Sequence, residues 1–406
     1  MTNRSYQGYR GRPPALPILD GILHADLLPD VAAWELSAAL RNYRDPYVGV
    51  TTDGVPVDGL YHLDGTGLSH KDAVDAACAY LEVLQDYQRV VAQLPMDSPD
   101  WRLWSNAFPV WTPKGVRLDR IGPRQRDAAL DLVRVSLSAD GFAVVRNAMR
   151  LNGALGDLIQ DYRDSLGEYT YQFTIFGEPS TDEPWGWQLA GHHVDVHCVF
   201  VESQLVLAPV FLGAEPARAW EHGPYAGASA FEAETESGLA LRRSLDTDQE
   251  ERVLLGDSLR TADLPPELAG PFNGRHLSGA GQDNLVLPLE GIAGKELTPD
   301  QRKLLLEVAD VYITRLPPDH AALKRRQFRD HLDDTTFAWR GKHDDTSAFY
   351  YRIHSPVLLV EYDNHPGIFL DNDEPERFHV HTITREPNGN DYGKNLLAQH
   401  YRRFHG

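Results

Sequence analysis

Cysteine is nearly absent from this 406-residue chain, which holds only Cys78 and Cys198. The two have no paired spacing, so neither a disulfide framework nor a thiolate metal site is suggested, and a reducing compartment is favoured. Basic residues are also short. Lys and Arg number 39 against 59 Asp and Glu, a formal net charge of −20. Phosphate backbones and anionic lipid surfaces are repelled by such a chain unless a local basic patch overrides the field. The densest basic stretch, Lys324, Arg325, Arg326 and Arg329, has Asp330, Asp333 and Asp334 close behind and reads as a solvated helix face rather than a polyanion site. No nucleic-acid or membrane partner is therefore expected.

Long hydrophobic runs are missing as well. No stretch nears the ~20 apolar residues that span a bilayer, and the opening MTNRSYQGYRGRPPALPILDG has no continuous apolar core before its prolines. A cytoplasmic location is expected. The chain has no G-x-S-x-G elbow, no P-loop and no G-x-G-x-x-G after a strand, so serine hydrolase, nucleotide triphosphatase and dinucleotide-binding readings lack their signals. DNDEPE lacks the spacing of a calcium loop and reads as a solvated turn.

What is present is an ordinary globular composition, 42% hydrophobic and 24% charged. The expected fold is α+β in one large domain over 1–406, with a mainly helical part over 1–166 and a strand-rich part with inserted helices over 167–406. Leu28 to Leu166 is mostly helical in pattern. Ala73 to Leu94 carries Ala76, Ala77, Tyr80, Leu81, Leu84, Tyr87 and Val91 at helical spacing, with Pro95 as the stop. Gly122-Pro123 opens a second helix with the stripe Leu130, Val133 and Leu137, ending at Asp140-Gly141. Further helices are read at Ser229 to Ser244, at Thr298 to Leu316 behind a Thr298/Gln301 capping box, and at Lys394 to Arg403. Glu168 to Phe211 and the last quarter alternate with period two and are rich in aromatic and β-branched residues, so they should join in one antiparallel sheet. Gly256 to Gly294 is rich in Gly and Pro and reads as a loop over a site.

Histidines concentrate on these strands: eight of seventeen follow Asp330, and His192, His193 and His197 cluster. On an extended strand His193, Asp195 and His197 share one face, with His192 on the other; His379, His381, Ile383 and Arg385 share a face of FHVHTITRE. A two-residue hairpin at Ser355-Pro356 sets His354 opposite Val357, Arg352 opposite Leu359 and Tyr350 opposite Glu361. Tyr350, Arg352, His354, Glu361 and Asp363 then line one face, too polar for an ordinary core. Imidazoles with a carboxylate suit zinc, iron(II) or manganese. The expected ligands are His193, His379 and His381, with Glu361 as a fourth ligand or general base. Arg352 and Arg385 would clamp a carboxylate, and His192 is a further catalytic candidate. Trp185, Trp187, Gln188 and Tyr350 are read as substrate-binding. The competing structural reading has these histidines hydrogen-bonding neighbouring strands, and His354, His365, His400 and His405 are read as structural or surface residues.

The blocks FGEPSTDEPWGWQLAGHHVDVH, APVFLGAEPA, GQDNLVLPLEGI, FYYRIHSPVLLVEYDN and HVHTITREPNGNDYGKNLLAQHY resemble the bacterial and fungal family called domain of unknown function 3500. The resemblance runs from about Phe173 to the C-terminus, with Arg124 to Gly141 also similar. It carries no settled activity. It does imply that Trp187, Gln188, His192, His193, Arg352, Glu361, His379, His381 and Arg385 belong to one centre. In the family's pattern an apolar residue and Asn stand where this chain has Asp195 and His197, which argues against those two as ligands. The function expected is a metal-dependent hydrolase or lyase acting on a small polar or carboxylate-bearing molecule through a metal-activated water, zinc being the first choice and iron or manganese the others. The alternatives are a non-haem iron(II) oxygenase and a metal-free binding protein. A homo-oligomer is compatible with the sequence.

Overall fold

A computed structural model describes residues 42–105, 114–159, 166–269, 275–370 and 372–405, with a small hairpin at Ile18–Leu19 and Ile22–Leu23. The helical pattern read before residue 42, part of the Gly256 to Gly294 segment and Asp371 lie outside these residues. The helices are α1 Lys71–Val83, α2 Asp86–Ala92, α3 Pro123–Ser136, α4 Ala139–Leu158, α5 Glu232–Arg243, α6 Thr247–Val253, α7 Pro299–Ile313, α8 Pro318–Asp330 and α9 Lys394–Phe404. The eight principal strands are β1 Gln172–Phe176, β2 Trp185–Gly191, β3 Val194–Val201, β4 Gln204–Ala214, β5 Thr336–Gly341, β6 Phe349–His354, β7 Leu359–His365 and β8 Glu376–Arg385.

The two strand regions do join. Their order is β5-β6-β7-β8-β4-β3-β2-β1, every one of these neighbours antiparallel, with β8 against β4 sealing the C-terminal strands to the central ones. Short strands at Ile292–Ala293 and Leu254–Gly256 extend the β5 edge, and Gln93–Leu94 and Val116–Arg117 extend the β1 edge. The result is an α+β fold on a twelve-stranded, mostly antiparallel sheet.

Alternation along the strands gives this sheet two unlike faces. One carries Trp185, Trp187, Leu189, Val196, Val210, Leu212, Ile353, Val360 and Tyr362 and packs with apolar residues of α3, α4, α5 and α7. The other carries Asp195, His381, Arg385, Asp363, Glu361, Arg352 and Tyr350, all buried. Here apolar contacts are patchy: Trp104 with Phe211 and Ile383, Val50 with Leu287 and Leu359, and Tyr392, Leu396 and Leu397 with Val199, Val201 and Val206. The Gly- and Pro-rich segment after residue 275 runs across it, as its composition suggested.

Three local readings are corrected. The helix over Ala73 to Leu94 breaks at Leu84, whose extended backbone buries its side chain; Gln85 and Gln88 then cap a new helix whose face is reset, leaving Tyr87 69% exposed. The break placed at Asp140-Gly141 falls at Leu137-Ser138 instead. Ser138 caps α4 by accepting from the Gly141 N–H, and Gly141 allows close approach, since a Cβ there would sit 2.4 Å from the Arg315 carbonyl oxygen. In the basic stretch only Arg326 and Arg329 are exposed: Lys324 is buried against Glu386 at 2.7 Å, and half-buried Arg325 pairs with Asp310. The Thr298/Gln301 capping box forms as expected.

Candidate metal centre

His192 and His193 form the two-residue turn between β2 and β3 and are not on an extended strand. His193 has φ 63°, the left-handed region that a non-glycine residue enters at a cost of about 1–3 kcal/mol. This conformation places its ring beside the β8 histidines. Ring centroids lie 5.4 Å from His379 and 5.3 Å from His381, which are themselves 4.7 Å apart. Gly213 on β4 makes the approach feasible: a Cβ there would stand 2.8 Å from the His381 ring and 3.0 Å from the His193 ring.

Ligand atoms of His193, His379 and His381 all lie within 4.8 Å of one another. Each β8 ring has an oxygen behind it. His379 Nδ1 is 2.8 Å from the Pro366 carbonyl oxygen, so it donates there, and its Nε2 is buried without a hydrogen-bond partner. His381 Nδ1 is 3.2 Å from Asp363 Oδ1, and its Nε2 faces His193 Nε2 at 3.4 Å. The Pro366 carbonyl fixes the tautomer and orientation of the His379 ring, as such partners do for metal-binding histidines, while Asp363 stands close to His381 without a hydrogen bond. Burial first, then the neighbouring imidazoles, holds the pKa of His192 and His193 well below the ordinary histidine value. Burial lowers that of His381 to about 4 against the opposing pull of Asp363. These rings are neutral at pH 7, the form that binds a metal ion.

Sequence reasoning missed several members. His365, read as structural or surface, stands 4.9 Å from His379 and 5.1 Å from His381 by ring centroid and donates to the same Pro366 carbonyl. His276 comes from the covering segment and hydrogen-bonds Asp363 Oδ2 at 2.6 Å; His276, Asp363 and His381 form a second group with ligand atoms within 4.8 Å. Glu215 accepts the Ile368, Phe369 and Leu370 N–H groups on one oxygen and so fixes the turn that presents Pro366. His365 lay one strand alternation from Asp363 and was findable; His276 and Glu215 had no periodicity to flag them.

The other predicted residues divide. Register pairs Arg352 with Glu361, Tyr350 with Asp363 and His354 with Leu359. The connection is Ser355 to Leu358, four residues, so pairing slides by two, and a slide of two keeps the same side chains on the face. Glu361 accepts from Leu277 N, Tyr350 Oη, Ser278 N and Ser278 Oγ, so both its oxygens are engaged. Burial pushes its pKa up, but the His276 and Arg352 charges and these hydrogen bonds outweigh that and leave it below the usual value. Arg385 is equally committed, to Asp283, Asp391 and the Ser278 and Gly279 carbonyls. Arg352 binds Glu290, while its Nε is buried without a partner. His192 stacks on His193 at 3.9 Å and meets Asn152. Trp185 and Trp187 point to the helix-covered face, stacking on Phe200 and Phe173, away from the histidines. Gln188 shares the polar face but meets His197, whose other nitrogen meets the Pro209 carbonyl. Asp195 sits opposite Phe211 with both oxygens unpartnered.

The family model described as protein of unknown function (DUF3500) matches residues 66–394. The chain belongs to this family. No curated protein and no solved structure matches it. The matched span includes β1 to β8 and every histidine of the cluster. Among the described residues no helix is long and apolar enough to cross a membrane.

Proposed function

We propose that the protein is a metal-dependent hydrolase or lyase acting on a small polar or carboxylate-bearing molecule, with a divalent ion, zinc first, held by His193, His379 and His381. One observation carries the reading: three buried imidazoles bring their ligand atoms together, one of them with its opposite nitrogen hydrogen-bonded to a carbonyl and another with its opposite nitrogen 3.2 Å from a carboxylate oxygen. A hydrogen-bonded structural cluster does not account for an unpartnered Nε2 on His379 beside two neutral rings. A bound ion would supply a Lewis acid and bring the pKa of a water toward neutrality. The Pro366 carbonyl orients His379, and the Asp363 carboxylate lies beside His381. Arg352, two strands from His381 on the same face, has its unpartnered Nε available for a substrate carboxylate. Glu361 and Arg385 hold the covering segment in place and are not the groups assigned to proton transfer.

Elemental analysis of untagged protein tests this, comparing wild type with His379→Gln. Near-stoichiometric zinc or manganese in the wild type, lost in the variant, is expected. Iron in its place would redirect the reading to dioxygen chemistry, and wild type free of metal after chelator-free purification overturns the metal reading.

A further inference from the structure

A different group of residues, at the far end of the sheet, has the makings of a separate metal site. Helix α9 packs on β3 through Leu396 and Leu397, against Val199 and Val201. Its C-terminal end brings His400, and His405 just past the helix, beside Glu183, at the end of the turn that enters β2. His400 Nε2 is 3.6 Å and His405 Nε2 is 3.4 Å from Glu183 Oε2, and the two rings are 5.3 Å apart. Ligand atoms of all three residues fall within 4.8 Å of one another. Atoms bound at 2.0–2.1 Å to a tetrahedral zinc ion stand about 3.3–3.4 Å apart, close to both separations.

An ordinary ion pair leaves one fact unexplained. The His400 side chain is 2% exposed, and its Nε2 has no hydrogen-bond partner, 3.6 Å being too long for a hydrogen bond to Glu183. Its other nitrogen, Nδ1, meets Glu202 Oε1 at 3.3 Å. Glu202 lies in the tight turn between β3 and β4, so a fixed element holds the imidazole with Nε2 toward Glu183 and His405. This is the carboxylate-behind-histidine arrangement that sets a metal ligand. Glu183 and His405 are partly exposed, which leaves the outer side of the group open to solvent.

We infer that Glu183, His400 and His405 form a peripheral zinc-binding site that pins the C-terminal helix to the entry of β2. It is independent of the central histidines, because no ligand is shared. Glu202 is a positioning residue for His400.

The test is titration of the full chain with zinc alone, in competition with a chromophoric chelator, on wild type, His405→Ala and Glu202→Gln. The variant His405→Ala should bind one equivalent fewer than wild type, whatever the central site holds. Zinc should raise the melting temperature of EDTA-treated wild type more than that of His405→Ala. Glu202→Gln should keep the site with an affinity weakened about tenfold or more, the effect typical of losing a group behind a ligand. The His405 side chain is exposed, and equal melting of the two proteins in EDTA verifies that the variant is folded. Identical zinc stoichiometry and affinity in wild type and His405→Ala would overturn the proposal.

Discussion

Gly213 has no chemistry of its own, yet it controls how close two imidazoles come. Any side chain there meets the His381 ring, the His193 ring and the Val380 carbonyl oxygen at 3.0 Å or less. Replacing it with Ala should therefore overpack the site, costing about 1–3 kcal/mol of stability. It should also lower the metal retained, because the rings must separate. Denaturant unfolding and elemental analysis of Gly213→Ala check both, and unchanged metal content would mean that the rings do not act together. His193 teaches the same lesson from the backbone. The strand pattern placed it extended, but φ 63° swings its ring beside His381, a position that alternation alone does not give.

At the scale of elements, the covering segment around 275–291 decides how the polar face is closed. It is held by charged groups as well as by the packing of Leu287 on Val50 and Leu359: Glu361 takes the Leu277 and Ser278 amides, Asp363 takes Arg275 N, and Arg385 takes the Ser278 and Gly279 carbonyls. In Glu361→Gln one oxygen becomes an NH2 that faces a donor, leaving buried groups unpaired at a cost of about 1–3 kcal/mol. Hydrogen exchange at Leu277 and Ser278 should accelerate while the amides of β7 and β8 remain protected. Equal exchange in the two proteins would show that the segment is held by something else. Composition marked this segment as a loop over a site, and the face beneath it was legible too. Tyr350, Arg352, Glu361 and Asp363 share a face whatever the hairpin length, provided the slide is even. The roles of Glu361 and Arg385 were not legible, because the partners they share in the covering segment, Ser278 for both and Asp283 for Arg385, are separated from them by 83 to 107 positions in the chain.

Across the whole molecule, burial of neutral imidazoles makes stability depend on pH. Burial lowers the pKa of His197 to about 3, with Lys114 and Arg385 adding to it against the Pro209 carbonyl; burial and Arg352 lower that of His354 to about 4 against Glu361. Unfolded, both titrate near about 6.5. Below that value the unfolded chain binds more protons than the folded one, so stability falls as the pH drops from about 6.5 toward 4, on the order of 2 kcal/mol per histidine by pH 5. The urea midpoint should fall between pH 7 and pH 5, and His197→Asn should flatten the dependence. A midpoint independent of pH would show that these rings are protonated when folded.

Sequence alone determined the polar face of β6 and β7 and the histidines of β8, because each follows from period-two alternation within a short stretch; the α+β class and the joining of the two strand regions followed from two such regions, neither of which makes a sheet alone, flanking the helices. It also carried the family, through blocks spread over most of the chain. Tertiary structure decided which face each hairpin turn residue serves, that Trp185 and Trp187 belong to the helix-packed core, and that His276, His365 and Glu215 join the histidine cluster. Those depend on turn conformation and on contacts between residues far apart in sequence, and no local periodicity encodes either.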